Sequence, residues 1–154
     1  MSNLEKFSKN MDTIIGYTHW RLWAPDLDLV QSEYLRNDLL YSVFTPFMYT
    51  YLEFLIRSMT ESYGNAPWSD NSEYNKVYHS MNLVKLAINE NQDKPELLSE
   101  LENVKKYFKH SKGLEGGANR NGVSHAVTVA RDWSKEDFEQ LIEDIAKLSP
   151  FSGQ

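Results

Sequence analysis

Apolar side chains recur every three or four residues along most of this chain, and no second run of β-branched residues offers a strand a partner. That restricts the fold to helices packed on helices, because an unpaired strand leaves its backbone groups unsatisfied. Residues 27–44 place Leu27, Val30, Tyr34 and Tyr41 at helical spacing, with Leu35 and Leu39 beside them, and predict a first long helix. Thr45 and Pro46 then read as an N-cap and a first helical position for a second helix, from residue 46 to about 63, ended by Gly64. Its apolar residues, Phe47, Met48, Tyr51, Leu52, Phe54, Leu55, Ile56 and Met59, run nearly all the way round, the pattern of a central buried helix. Residues 69–89 predict a third helix through Tyr74, Val77, Tyr78, Met81, Val84 and Ile88. A fourth starts at Pro95, carries Leu97, Leu98, Leu101, Val104 and Phe108, and is ended by Gly113 and the Gly116-Gly117 pair. Ser134 is placed as the cap of a last amphipathic helix through Leu141, Ile145 and Leu148, with Trp133 and Phe138 as a hydrophobic staple and a stop at Ser149-Pro150.

Residues 119–131 contain Val123, Val127, Thr128 and Val129, which suit a strand. With no partner strand elsewhere, the segment reads as a short helix whose N-terminus emerges from the glycine loop. The expected fold class is therefore all-α, a bundle of five or six helices in one domain of 154 residues. Residues 1–25 read as a loosely packed N-terminal segment of that domain.

The absence of cysteine removes disulfides, thiolate nucleophiles and Cys-based metal sites. Residues 1–20 hold no apolar run long enough for a signal peptide, and the most apolar stretch, residues 44–59, is interrupted by Glu53 and Arg57, so a cytoplasmic protein without a membrane partner is expected. Nine Tyr against seven Phe suggest rings with one wet end, as at interfaces and cleft walls. A net charge of −6 argues against indiscriminate nucleic-acid binding. The charge is segregated, however. Residues 103–131 carry Lys105, Lys106, Lys109, Lys112, Arg120 and Arg131 against Glu115, a local +5 on a remainder of −11. Such a segment is either a solvated face or the footprint of an anionic ligand.

Of four histidines, His19 and His79 read as packing or surface residues, with no carboxylate at metal-ligand spacing, and His110 as a phosphate contact or a helix C-cap. His125 differs by its company. In Asn119-Arg120-Asn121-Gly122-Val123-Ser124-His125-Ala126, Arg120 supplies a permanent planar cation and His125 a group that moves protons near neutral pH. Asn121 is four residues from His125, on the same helical face, placed to orient the imidazole or a ligand. Arg120 lies about 140° round a straight helix from His125 and must reach in from the first turn. A helix N-terminus there adds N–H donors for an anion.

These residues resemble the Arg-x4-His motif of the HEPN superfamily, whose usual form begins Arg-Asn and ends in His followed by a small residue. Glu53 and Arg57 on the second helix resemble the polar Glu-x3-Arg or Lys pair of many members, and read equally as an i, i+4 salt bridge. The specific part of the resemblance is residues 120–126, and Gly122 departs from the pattern inside it. The resemblance implies a homodimer with two motifs facing one cleft, and a metal-independent endoribonuclease with no cofactor. One imidazole would take the proton of a ribose 2′-hydroxyl and the other would protonate the leaving 5′-oxygen, while Arg120 steadies the phosphorane. Lys109 and Lys112 would attract RNA. Many members act as toxins, paired with an antitoxin or other partner protein, or in phage defence. Others have lost activity and bind a nucleotide or a partner protein, which is the alternative expected here.

Overall fold

A computed structural model describes residues 2–18, 22–61, 79–109 and 133–152. Among them the chain forms six α-helices and no strand: α1 (Asn3–Gly16), α2 (Ala24–Arg36), α3 (Tyr41–Arg57), α4 (Ser80–Glu90), α5 (Pro95–Val104) and α6 (Lys135–Leu148). The expected all-α bundle is therefore the observed class. The short helix expected at 119–131 lies outside the described residues.

Within the N-terminal segment, residues 3–16 are not loose. Ser2 caps α1 and exchanges hydrogen bonds with Glu5, its hydroxyl accepting from the Glu5 N–H at 3.3 Å and its own N–H donating to the Glu5 carboxylate at 2.7 Å. Phe7, Met11 and Ile14 then form an inward stripe and are fully buried. α1 packs against α6 and α2, and the Lys6 to Glu143 ion pair of 2.6 Å ties it to α6 at the surface. The few apolar residues of this polar stretch share one helical face, and that face is enough to dock it.

The single helix expected over 27–44 is two helices. α2 stops at Arg36 because Asn37 turns to extended backbone, φ −150° and ψ 97°, and its side chain accepts the Leu39 N–H at 3.2 Å. An Asn side chain that bonds the backbone two residues on competes with the helix. A 3-10 turn, Asp38–Leu40, then leads directly into α3.

Pro46 does not start α3; it lies inside it. Thr45 is buried and, instead of capping, donates its hydroxyl to the Tyr41 carbonyl at 2.7 Å. The lost backbone bond at Pro46 is outweighed by packing along the helix, where Met48, Leu52, Leu55 and Ile56 beyond the proline are among the most buried side chains and Tyr41 and Phe44 before it lie half-buried against the core. The segment Asp38–Arg57 has the length and composition of a membrane-crossing helix, yet here it runs through the protein core, against α6 and α4. It ends at Ser58, earlier than the expected residue 63.

α4 begins at Ser80, the expected residues 69–78 lying outside the described set. Buried Asn91 ends it and donates to the carbonyls of Met59 at 2.9 Å and Ala87 at 2.8 Å, which joins the C-terminal ends of α3 and α4. α5 starts at Pro95 as expected and tightens into a 3-10 turn, Lys105–Phe108. Ser134 caps α6 by accepting the Asp137 N–H at 3.0 Å, and α6 packs against α1, α3 and α5.

Among the described residues, four of the six tyrosines are core residues rather than wet rings. Tyr34, Tyr49, Tyr51 and Tyr107 are buried in the core. Phe7, Tyr34 and Phe138 stack where α1, α2 and α6 meet, with centroids 4.2 Å and 5.1 Å apart. Trp23 stands on Phe47, Tyr51 and Phe54 at 5.2 to 5.6 Å. Buried hydroxyls require partners: Tyr34 donates to Glu139 at 3.0 Å and Tyr107 to Asp144 at 2.6 Å.

Candidate functional site

Arg120, Asn121, His125 and Lys112 all lie outside the described residues, as does His110. Glu53, Arg57 and Lys109 lie within them. Lys109 is exposed, on extended backbone immediately after the 3-10 turn Lys105–Phe108.

Glu53 sits on α3 and is 7% exposed. Arg57, one turn later, places Nη2 at 3.8 Å from Glu53 Oε1, so the i, i+4 pair read from the sequence is formed. The same oxygen meets two groups from across the fold. His79 Nδ1 lies at 3.5 Å, and the Ser80 N–H donates to Oε1 at 3.4 Å. His79 was not expected in any site, since nothing at short spacing from it signals one. The contact spans 26 positions and is made by the packing of α4 on α3.

A second polar cluster is centred on Asp144, 1% exposed on α6. Tyr107 donates to it at 2.6 Å, Lys106 Nζ lies at 2.6 Å, and Gln140 donates at 3.1 Å. Burial alone would push this carboxyl up. The hydrogen bonds from Lys106, Tyr107 and Asn103, with the Lys106 charge, outweigh it and hold the group below its ordinary value. Burial, followed by the bond to Asp144, pushes the Tyr107 hydroxyl far above its usual range, so it stays a donor. The cluster fastens the turn after α5 to α6.

Its pH dependence follows from the sign. A carboxyl whose pKa is lowered by folding stabilises the protein above the ordinary carboxylate range and loses that contribution as pH falls through the folded value. Asp144→Asn should cost about 1 to 3 kcal/mol at pH 7. The gap to the parent should narrow below about pH 4. Urea unfolding of both proteins at pH 7 and pH 3 checks this, and a gap that stays constant would contradict it.

These contacts also revise the basic segment. Lys105 is held by Glu102 at 2.8 Å and Lys106 by Asp144, so two of its cations are already matched by acids. A groove of about 180 Å³ between α1 and α6 is lined by Lys6, Glu136, Glu139 and Glu143, a balance that opposes an RNA phosphate. Among the described residues, no three His, Asp or Glu side chains gather where a metal ion could be held. The described polar group with both a buried carboxylate and an accessible imidazole is therefore Glu53, Arg57 and His79. No protein-family model, curated protein or solved structure matches this chain.

Proposed function

We propose that this chain is a metal-independent endoribonuclease, which cuts RNA by attack of the ribose 2′-hydroxyl and leaves a 2′,3′-cyclic phosphate. The observation that carries the reading is Arg120-Asn121 followed by His125, in a chain whose described part is a helical bundle with Glu53 and Arg57 paired on a buried helix. His125 transfers the proton, Arg120 stabilises charge on the phosphorane, and Asn121 orients the imidazole. The protein works in the cytoplasm as a toxin of a toxin–antitoxin pair or in phage defence, held in check by a partner protein. Incubation of the purified protein with total RNA in EDTA should release fragments with 2′,3′-cyclic phosphate and 5′-hydroxyl ends. Intact RNA under those conditions would overturn the reading.

The protein acts as a homodimer whose two motifs face one cleft, because the reaction needs one group to take a proton and another to give one. Solution scattering should return a dimer, and a spin label on a His125→Cys variant should report a short distance between protomers. A monomer, or labels on opposite outer faces, would end the shared-cleft arrangement.

Lys109 and Lys112 draw RNA in by their charge. Replacing both with alanine should weaken RNA binding and reduce the slope of log affinity against log salt by about 1.4, the share of two single-strand phosphates. The rate at saturating RNA should hold, because phosphate contacts position without doing chemistry. A slope equal to that of the parent would remove both lysines from the RNA path.

One observation favours a second reading, a non-catalytic helical dimer that binds a nucleotide or a partner protein. The net charge is −6, and Lys105 and Lys106 are already matched by Glu102 and Asp144, so little of the described basic segment remains for a long RNA backbone. An inactive protein that nonetheless shifts its melting temperature with a mononucleotide would favour this alternative.

A further inference from the structure

Helix α3 meets the core on one side only. From Leu39 to Leu52 fourteen consecutive residues carry no charge, the longest such run in a chain of which 25% is charged. Less than half of the apolar stretch within Asp38–Arg57 is nevertheless buried. The outer side shows Leu39 at 71% exposure and Val43 at 63%, with Pro46 and Thr50 exposed as well. Steps of four, three and four put these residues on one helical stripe. Phe47 and Phe54 lie half-buried beside it, under Trp23 of the chain entering α2. The Thr50 hydroxyl donates to the Pro46 carbonyl at 3.0 Å, so its polar group is satisfied within the helix. Single exposed leucines are ordinary, but a charge-free stripe of apolar residues marks a surface that is covered in use.

The charges at the two ends of the stripe are already matched, Asp38 with Lys135 at one and Glu53 with Arg57 at the other. That decides among occupants. A cationic partner is drawn to carboxylates such as Glu136, Glu139 and Glu143 between α1 and α6, and not to an uncharged stripe. An anionic lipid surface repels a chain of net charge −6, and the cations bordering the stripe are held by acids. A second copy brings the same −6, and two such copies approach with least repulsion where neither carries net charge. An isologous contact also sets the same patch on both sides, and an apolar stripe without charge complements itself. We infer that the α3 stripe of Leu39, Val43, Pro46 and Thr50 is the interface between two copies of this chain. The two-fold axis passes near Val43 and Pro46, at the middle of the stripe. The homodimer proposed above thereby gains a contact among the described residues, one that is read from assembly alone, without RNA.

Light scattering of the full chain over a range of concentrations tests this. The parent should be a dimer. Leu39→Glu combined with Val43→Glu should raise the dimer dissociation constant on the order of 10²-fold or more, because four carboxylates would face one another across the axis. The circular dichroism spectrum should hold, since both side chains are exposed. The chain has no cysteine, so Val43→Cys carries a single thiol. Air oxidation should link two copies of that variant, whereas Ser99→Cys, exposed on α5, should stay unlinked. A monomeric parent, a doubly substituted protein that dimerises like the parent, or a parental dimer whose Val43→Cys copies do not link overturns the interface. So does a monomer that binds neutral phospholipid vesicles and loses that binding in the doubly substituted protein, which would assign the stripe to a membrane. Linked Val43→Cys copies with their His125 positions far apart would leave this interface standing and end the shared cleft. RNA cleavage by the parent is a separate measurement, and its failure would overturn the ribonuclease reading while the interface stands.

Discussion

His125→Ala should reduce RNA cleavage by a factor on the order of 10² or more while leaving the melting temperature nearly unchanged. Removing a proton-transfer group raises the barrier without removing packing, so rate and stability separate. Arg120→Ala should fall by a similar factor through lost stabilisation of the phosphorane charge, and Asn121→Ala by less, since an amide that orients a ring leaves the ring in place. Chelation should change none of these rates. If His125 were instead a satisfied, buried residue of the bundle, its removal would leave polar partners unpaired and lower stability by about 1 to 3 kcal/mol, in a parent that shows no cleavage. Melting curves run beside the RNA gel separate these outcomes.

Phe7→Ala should destabilise the fold by about 3 to 5 kcal/mol. For a domain of this size that is a fall in melting temperature of roughly 10 °C. Phe7 is fully buried at the junction of α1, α2 and α6, with its ring against Tyr34 and Phe138, and alanine would leave a cavity bounded by two rings held from α2 and α6. Ser2→Ala, at the cap of the same helix, should cost only about 1 kcal/mol. A Phe7→Ala protein that melts like the parent would mean that α1 is not part of the cooperative unit. Thermal unfolding followed by circular dichroism suffices for both variants.

The helical class, the central buried helix and the ends marked by Pro95 and Ser134 were legible along the chain, because helical period, proline and an N-cap are local signals. α1 was not read, residues 1–25 being expected to pack loosely: its polar composition masks the Ser2 and Glu5 capping box and the three-residue face of Phe7, Met11 and Ile14. The break at Asn37 and the passage of α3 through Pro46 were not legible either. Each is decided by a local preference set against burial: at Asn37 a side-chain bond to Leu39 prevails, and at Pro46 the core on both sides of the proline prevails.

Composition and period thus determined by themselves that the described part of this chain is all-helical and that the chain has no covalent staples, and the linear motif determined which residues to test for RNA cleavage. Tertiary structure alone decided where the buried charges find their partners. Glu53 was expected to meet Arg57, one turn away, but its contact with His79 exists only because α4 packs on α3. Asp144 gives no sign in the sequence of holding Tyr107 and Lys106 from the turn after α5. The physical reason is one of range. A backbone preference acts over a turn or two of chain, whereas a buried carboxylate must be satisfied by whatever donors the packed fold brings within about 3 Å.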